Sequence, residues 1–290
     1  MNSPCRPFSD PDPLSCDQIV TCLKRLPALP SAVSEVLASF GDDGVDVDRM
    51  AHLISRDLGL TARVLRVANS SFYGLQSRVG TIQEAIVVLG FRAVRSLVLA
   101  VGVNGAFRAD HCPGFDAPAY LRHGVGTGLA ARALAPLVGL NPDLAFTAGL
   151  LHDIGILVLA TSYPGRYSEV LACRRRLDCF LVDAERNILG MDHGQVGELL
   201  ADTWHFPSAI REAVAHHHDP STAAPDSFAN LIHVADITVH ALGLSGSTEE
   251  LVMPLDEIAW GRLGFDWESY VRTLPLVEEG FEESCQALAL

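Results

Sequence analysis

Apolar residues recur at helical spacing along most of the chain, and the alternation that is typical of strands does not stand out. The first repeat places Ile19, Val20, Leu23 and Leu26 on one side of a predicted helix. Recurrence at intervals of three and four residues is typical of an amphipathic helix that packs one face on a core. Further repeats of this kind lie between prolines, glycines and polar loops, which end helices. The pattern predicts an all-α fold.

Breaks in the helical pattern divide the chain into four parts. Residues 1–14 are rich in proline and are predicted to form a disordered tail. Residues 15–107 are predicted to form an N-terminal set of short helices. The loop Arg108–Pro118 separates these helices from a second helical part at 117–243. Residues 244–290 are predicted to form an acidic extension that contains a last helix.

An almost wholly apolar stretch, Gly149–Leu159, contains an adjacent histidine and aspartate, His152 and Asp153. Its apolar spacing predicts a single buried helix. Burial of an unpaired carboxylate costs several kcal/mol or more, so Asp153 needs a cation, an arginine or a set of donors. Two ligand types on one turn of a buried helix predict a metal site. The alternative is an aspartate that caps a neighbouring helix beside a satisfied core histidine.

Other side chains of metal-ligand type lie on, or at the ends of, predicted helices in the second half of the chain. They are His123, His193, His217, His218 and Asp236. Imidazole and carboxylate together suit zinc, iron or manganese, and a central carboxylate can bridge two cations. The set therefore predicts a binuclear site suited to phosphate esters. Structural interpretations stay open, because histidines satisfy carbonyl groups at helix ends. The series His233, Asp236 and His240 could also form hydrogen bonds along its own helix.

Composition limits the classes of partner. The net charge of -14 argues against a general affinity for nucleic acid or for an anionic membrane. No apolar run reaches the length of a bilayer span. Lys24 is the only lysine, which argues against a P-loop and against Schiff-base chemistry. Seven scattered cysteines predict reduced thiols in a cytoplasmic protein. The run Arg174–Arg176 is interpreted as a solvated face, with contact to an acidic partner as the alternative.

Several segments occur in the order that characterises one known family. They are Leu26–Pro30, Arg56–Gly74, Ala85–Gly90, Ala148–Gly155, Glu185, His193–Gly197, Trp204–Pro207 and the pair His217 and His218. Over residues 19–243 the chain resembles the HDOD family, the HD-related output domain of bacterial signalling proteins. The resemblance implies an all-helical fold in which an N-terminal multi-helix subdomain packs on an HD-like helical core.

The wider HD superfamily includes the HD-GYP phosphodiesterases, which cleave cyclic di-GMP, and the chain holds candidates for all seven of their ligand positions. By that resemblance Asp153 bridges two metal ions. One ion is completed by His123, His152 and Asp236, and the other by His193, His217 and His218. The register of His216–His218 is open by one residue. The chain departs from these enzymes by lacking a Gly-Tyr-Pro motif after His218, and by Ala119 where some of them carry a further glutamate ligand.

Two functions follow from the resemblance. The favoured hypothesis is a bacterial regulatory output module that acts through contacts with an unidentified signalling protein, with a metal centre as a structural or sensory element. The alternative is a metal-dependent phosphohydrolase that acts on a nucleotide or a cyclic dinucleotide. Apolar surface in the N-terminal half could also support a homodimer. Neither nucleic acid nor a membrane is an expected partner.

Overall fold

A computed structural model describes residues 13–26, 29–39, 46–70, 73–107, 109, 111–247 and 251–288. These residues form helices and connecting loops and contain no β-strand, which confirms the all-α prediction. Helix starts follow the caps that the sequence offers. The side chain of Asp46 accepts a hydrogen bond from the backbone of Arg49, and Thr81 accepts one from the backbone of Glu84. Local sequence therefore determines where these helices begin.

The N-terminal part is a set of short helices around one long apolar helix. Its members are α1 (Cys16–Leu23), α2 (Ser31–Ala38), α3 (Val47–Ser55), α4 (Leu58–Ala68), α5 (Ile82–Leu89) and α6 (Phe91–Asn104). Helix α6 packs against α2, α4 and α5, and Leu97, Val98 and Leu99 on it are fully buried. Residues 1–12 of the predicted tail lie outside the described residues. Leu14 is already buried, and its backbone N–H donates to Leu189 at 2.7 Å.

The second part carries the predicted ligand residues. Its helices are α7 (Ala117–Leu134), α8 (Pro142–Leu151), α9 (Ile154–Ser162), α10 (Pro164–Leu177), α11 (Leu181–Leu189), α12 (His193–Thr203), α13 (Ser208–His216) and α14 (Phe228–Leu242), with a 3₁₀ turn at Ala135–Val138. Helices α7, α8 and α14 pack on one another, and α12 packs on α9 and α13. Gly149 allows α8 to cross α7 closely, because a Cβ there would lie 2.7 Å from the carbonyl oxygen of Thr127.

The C-terminal extension packs on both preceding parts. It contains α15 (Glu257–Leu263), α16 (Trp267–Glu279) and α17 (Phe281–Leu288). Helices α16 and α17 contact α7, and α17 also contacts α4 of the N-terminal part. Helix α6 contacts α8 directly, and buried apolar side chains from all three parts form one continuous core. The extension is therefore part of the packed fold.

The structure corrects two expectations about the central stretch. The single helix predicted at Gly149–Leu159 is wrong, because α8 ends at Leu151 and α9 begins at Ile154, with His152 and Asp153 in the turn between them. Among the described residues, the segment Pro142–Ser162 is long and apolar enough to span a bilayer, so the expectation that no apolar run reaches that length is wrong. The most apolar part of this segment is 89% buried inside the protein, as the core helices of a globular domain are.

Candidate metal centre

Helix ends bring five of the seven predicted ligand residues to one place. His152 and Asp153 occupy the α8–α9 turn, and His193 is the first residue of α12. His217 and His218 directly follow the last residue of α13. Helix ends suit this task because a side chain there can point beyond the end of the helix. The packing of α12 on α9 and α13 then makes the three helix ends converge.

The other two predicted ligand residues lie within helices that flank this point. His123 lies on α7 and Asp236 on α14, and both are buried. The neighbouring His216 does not join the cluster, because its Nδ1 contacts the Thr222 hydroxyl at 3.1 Å. The structure thus brings all seven predicted side chains together, and it places His217 and His218 in the cluster with His216 outside it.

Four residues form what we call the first ligand group: His123, His152, Asp153 and Asp236. Nε2 of His123 lies 3.3 Å from Nε2 of His152 and 3.0 Å from Oδ1 of Asp236. Nε2 of His152 lies 3.4 Å from Oδ1 of Asp153, and Oδ2 of Asp153 faces Nε2 of His123 at 3.7 Å. The atoms that could bind an ion therefore face one small volume.

Asp153 also belongs to a second ligand group, which it forms with His193, His217 and His218. Its Oδ1 lies 3.0 Å from Nε2 of His193 and 3.4 Å from Nε2 of His217. Nε2 of His193 lies 3.3 Å from Nε2 of His217 and 2.8 Å from Nε2 of His218. One carboxylate thus stands between two sets of histidine nitrogens, which is the arrangement of a bridging ligand.

Backbone carbonyl groups fix the tautomers of two of these histidines. Nδ1 of His152 lies 2.7 Å from the carbonyl oxygen of Gly149, and Nδ1 of His217 lies 3.0 Å from that of Val214. Since a carbonyl oxygen can only accept, each Nδ1 carries the hydrogen and each Nε2 presents a lone pair to the cluster. An Nε2 lone pair is the form in which a neutral imidazole binds a metal ion.

A buried carboxylate orients His193 in the same way. Oε2 of Glu185 accepts from Nδ1 of His193 at 2.7 Å and from its backbone N–H at 2.9 Å. Oε1 of Glu185 accepts from the Tyr167 hydroxyl at 2.8 Å. Carboxylate–histidine pairs of this kind fix the ring and make the ligand nitrogen more basic. The sequence marked Glu185 only as a family landmark, and its role as a positioning residue needed the structure.

The pKa values of the cluster describe a site that favours positive charge at its centre. Although burial favours the neutral acid, the rings of His152 and His193 hold the pKa of Asp153 well below its usual range. Burial lowers the pKa of His152 to about 4, against the opposing effect of Asp153. For His193, burial is outweighed by Glu185 and Asp153, which raise its pKa. A proton on His193 therefore supplies this charge when no metal is bound, and a metal ion would replace it.

The residues present fit a metal pair. Apart from the histidine nitrogens of the cluster itself, Oδ1 of Asp153 and Oδ1 of Asp236 are buried without a hydrogen-bond partner in the described part of the chain. In the second ligand group, separations of 2.8–3.4 Å between the ligand atoms match those of atoms that surround one ion at about 2.1 Å. Lone pairs that face one another at this range repel unless a cation or a proton lies between them. Metal binding by the seven residues nevertheless stays a prediction.

One further histidine joins the cluster, and another supports it from outside. Nε2 of His240 lies 3.3 Å from Oδ1 of Asp236, and its ring centroid lies 4.4 Å from that of His123. The predicted ligand set did not include His240. The sequence signal for it was its spacing of four residues from Asp236, which places both on one face of a helix. His233 donates from Nδ1 to the carbonyl of His217 and accepts the backbone N–H of Asp256. Its role is to hold the α13–α14 connection.

The C-terminal extension is tied to the helix that carries His123. Arg122, the preceding residue, forms two hydrogen bonds with the Glu282 carboxylate, at 2.7 and 3.0 Å. Its guanidinium carbon also lies 4.7 Å from the centroid of the Phe281 ring. A bidentate pair of this type restricts both partners, although exposure to solvent limits its contribution to stability. The sequence assigned no role to this part of the chain, and its packing indicates support for α7.

A cavity of about 360 Å³ opens above the cluster. Its floor is formed by His123, Asp153, His193, His218, Asp236 and His240. Its walls come from the loop before α7, from α10, from the start of α11, from residues 245–247 and from Leu251 and Met253. The volume lies in the range of small-molecule sites, roughly 300–1,000 Å³. A ligand in this cavity would therefore contact both ligand groups.

The metal-free protein is expected to lose stability as the pH falls from 6.5 to 4. The unfolded chain takes up a proton at His152 below pH 6.5, whereas the folded chain does so only near pH 4. This difference alone lowers the free energy of unfolding by about 3 kcal/mol, at 1.36 kcal/mol per pKa unit. The lowered pKa values of His218 and His233 act in the same direction. The raised pKa of His193 acts at higher pH, because its contribution to stability is fully present below pH 6.5 and is lost only as the pH rises above that value.

Urea unfolding of the chelated protein at several pH values measures this dependence. His152→Gln should flatten the dependence, whereas His216→Gln should leave it unchanged because His216 lies outside the cluster. A stability that stays constant or rises on acidification would contradict the assignment of His152 as a buried neutral group.

Solved structures of other proteins share the helical fold of this chain. A solved structure from Geobacter sulfurreducens, named an HDOD domain protein with unknown function, superposes with a TM-score of 0.76 at 23% identity and covers 94% of this chain and 98% of its own. A structure from Shewanella amazonensis, named "putative phosphohydrolase", has a TM-score of 0.75 at 28% identity over 93% and 97% of the two chains.

Curated protein sequences also match parts of this chain. A Treponema pallidum protein named "uncharacterized protein" is 26% identical over 246 residues, which cover 82% of this chain and 46% of that protein. The chain spans less than half the length of the curated relatives that it matches. The HDOD domain itself matches residues 26–220, which include both α6 and the α8–α9 turn. The chain therefore belongs to the HDOD domain family.

Proposed function

We propose that this chain is a metal-dependent phosphohydrolase of the HDOD family, which acts on a phosphate ester in a signalling context. The observation that carries the proposal is the position of Asp153 in both ligand groups, at the floor of a ligand-sized cavity. Iron, manganese and zinc are the candidate metals, because imidazole and carboxylate ligands suit all three. The name of the Shewanella amazonensis structure is consistent with this chemistry.

The chemistry that a bound metal pair supplies is a water of lowered pKa and stabilisation of charge on the phosphoryl oxygens. The chain's own residues prepare the site for it. Asp153 presents one oxygen to the His193 side and the other to the His123 side. Glu185 holds His193 in one orientation, and the buried Tyr167 holds Glu185. These fixed contacts reduce the reorganisation that a reaction in the site would require.

Hydrolysis by the metal-loaded protein tests the proposal. Protein purified without air or chelator, then loaded with Mn²⁺, Fe²⁺ or Zn²⁺, should hydrolyse at least one member of a panel of phosphate esters. The panel comprises 4-nitrophenyl phosphate, bis(4-nitrophenyl) phosphate, nucleoside mono- and diphosphates, cyclic mononucleotides and cyclic dinucleotides. A chelator should abolish the activity. If protein with a full complement of metal releases no product from any of them, the proposal fails.

A regulatory output function is the second candidate, and exposed apolar side chains favour it. Val87 and Val88 on α5 are 83% and 53% exposed, and Leu58 at the start of α4 is 80% exposed. Exposed apolar side chains on one part of a domain suit contact with a partner protein or with a second copy. The described cysteines are free, which fits a reducing compartment such as the cytoplasm.

Two variants compared in the source cell separate the candidates. An output module should keep its regulatory effect in Asp153→Asn and lose it in Val87→Asp. A phosphohydrolase should show the reverse. Sedimentation of the Val87→Asp variant also tests whether α5 mediates a homodimer, because a native dimer would then become a monomer.

A further inference from the structure

Three consecutive arginines at the end of α10 do not share one environment. The half-buried Arg174 and the exposed Arg175 line the cavity above the His/Asp cluster, whereas Arg176, which is also exposed, does not line it. Among the described residues that line this cavity, these two are the only arginines, and no lysine joins them. The solvated face predicted from sequence therefore holds for Arg175 and Arg176, although Arg175 also borders the cavity, whereas Arg174 is half-buried.

The positions of the two arginine side chains follow from the packing around them. Arg174 is half-buried, and its charge acts on the buried Tyr167 hydroxyl, whose pKa is raised mainly by burial and by Glu185. The Arg175 guanidinium lies against the loop before α7, so that a Cβ at Gly114 would be 3.2 Å from it. Arginines in a last helical turn also complement the helix dipole, but that effect does not select the side facing the cavity.

The positive charge of Arg174 and Arg175 would attract an anionic ligand to the cavity. The chain has a net charge of -14, so its long-range field repels phosphate esters. A guanidinium group binds phosphate oxygens through two parallel hydrogen bonds, which offsets this repulsion locally. The wall also holds the Tyr120 hydroxyl, which is buried and has no hydrogen-bond partner in the part of the chain that the structure describes. The wall is thus polar and cationic, and the floor is the candidate metal centre.

We propose that Arg174 and Arg175 form a phosphate-recognition rim, which binds a second phosphate group of the substrate while the scissile phosphate lies over the His/Asp cluster. This inference rests on the proposed phosphohydrolase function and narrows its substrate class to esters with two or more phosphate groups. Nucleoside polyphosphates and dinucleotides share this chemistry. The aromatic side chains of Phe115 and Phe180 in the same cavity offer surfaces on which a base can stack.

Ligand binding to the metal-free chain tests the rim without relying on activity. ADP and a linear 5′-phosphorylated dinucleotide serve as two-phosphate ligands, and 4-nitrophenyl phosphate serves as the one-phosphate comparison. The affinity of each is measured by calorimetry. Arg174→Ala and Arg175→Ala should each weaken the binding of a two-phosphate ligand by roughly 10- to 100-fold, since charge-assisted hydrogen bonds are lost. Arg176→Ala is the matched control, and its affinity should stay within about twofold of the native value. Arg174→Lys should restore only part of the affinity, because it keeps the charge and loses the planar fork.

The outcomes separate the rim from the proposed activity. Tighter binding of ADP or of the dinucleotide identifies the source of the second phosphate, and either result supports the rim. Equal losses in all three alanine variants would overturn it, because general surface charge would then explain the effect. Equal losses for the one-phosphate ligand would overturn it too, because the arginines would then bind the scissile group. Arginine-dependent binding by a native protein that hydrolyses nothing would support the rim while the proposed activity fails.

Discussion

Asp153→Asn is expected to leave the protein without stoichiometric metal, whereas the native chain should hold about two equivalents. Asparagine keeps the size of the side chain but removes the negative charge that stands between the two ligand groups. Because Asp153 contacts both His193 and His123, its loss weakens both positions at once. Hydrolysis should fall by about 10³-fold or more, which corresponds to the loss of several kcal/mol of charge stabilisation. Metal analysis of protein purified without air or chelator gives the first measurement.

His216→Asn provides the matched control for this variant. His216 is next to the cluster in sequence but contacts Thr222, so its replacement should retain both metal ions. Retention of two equivalents by Asp153→Asn would contradict a bridging role for the carboxylate. A native protein that contains no stoichiometric metal would instead identify the seven residues as a hydrogen-bonded cluster, with the raised pKa of His193 providing its positive charge.

Gly155→Ala is expected to destabilise the fold by about 3 kcal/mol or more. Gly155 lies in the first turn of α9, where α12 crosses, and a Cβ there would overlap the carbonyl oxygen of His193 and come within 2.8 Å of the backbone nitrogen of Gly197. The obstacle is backbone, so the two helices must move apart. The movement would also separate His193 from Asp153 and lower metal affinity. Thermal and urea unfolding measure the first effect, and metal titration measures the second.

Gly165→Ala tests whether this effect comes from the crossing or from any glycine replacement. Gly165 lies at the start of α10, and a Cβ there has no neighbour within 4 Å. Alanine should therefore be neutral or stabilise the helix by up to about 1 kcal/mol. Equal stability of Gly155→Ala and the native chain would show that α9 and α12 tolerate a wider separation than the structure has.

Local sequence accounts for the helices and for the candidate ligand set. Apolar spacing predicts helices without knowledge of their partners, because a helix places residues three and four apart on one face. Caps such as Asp46 and Thr81 act within three residues, so they too can be read directly. The residue types and order of the predicted ligands indicated one cluster, and the structure brings those seven side chains together.

Contacts between distant segments decided the rest. The break at His152 and Asp153 is invisible in an apolar run, because the turn is set by how α8 and α9 pack on their neighbours. The choice of His217 over His216 depends on which side chain at the end of α13 points into the cluster. The division between Arg174 and Arg176 depends on which side of α10 faces the cavity. The sequence by itself thus determined the helices and the types of ligand side chain in the candidate site. Only the tertiary structure decided how these side chains converge and which others join them, such as Glu185 and His240, because convergence depends on helix crossings between residues far apart in the chain.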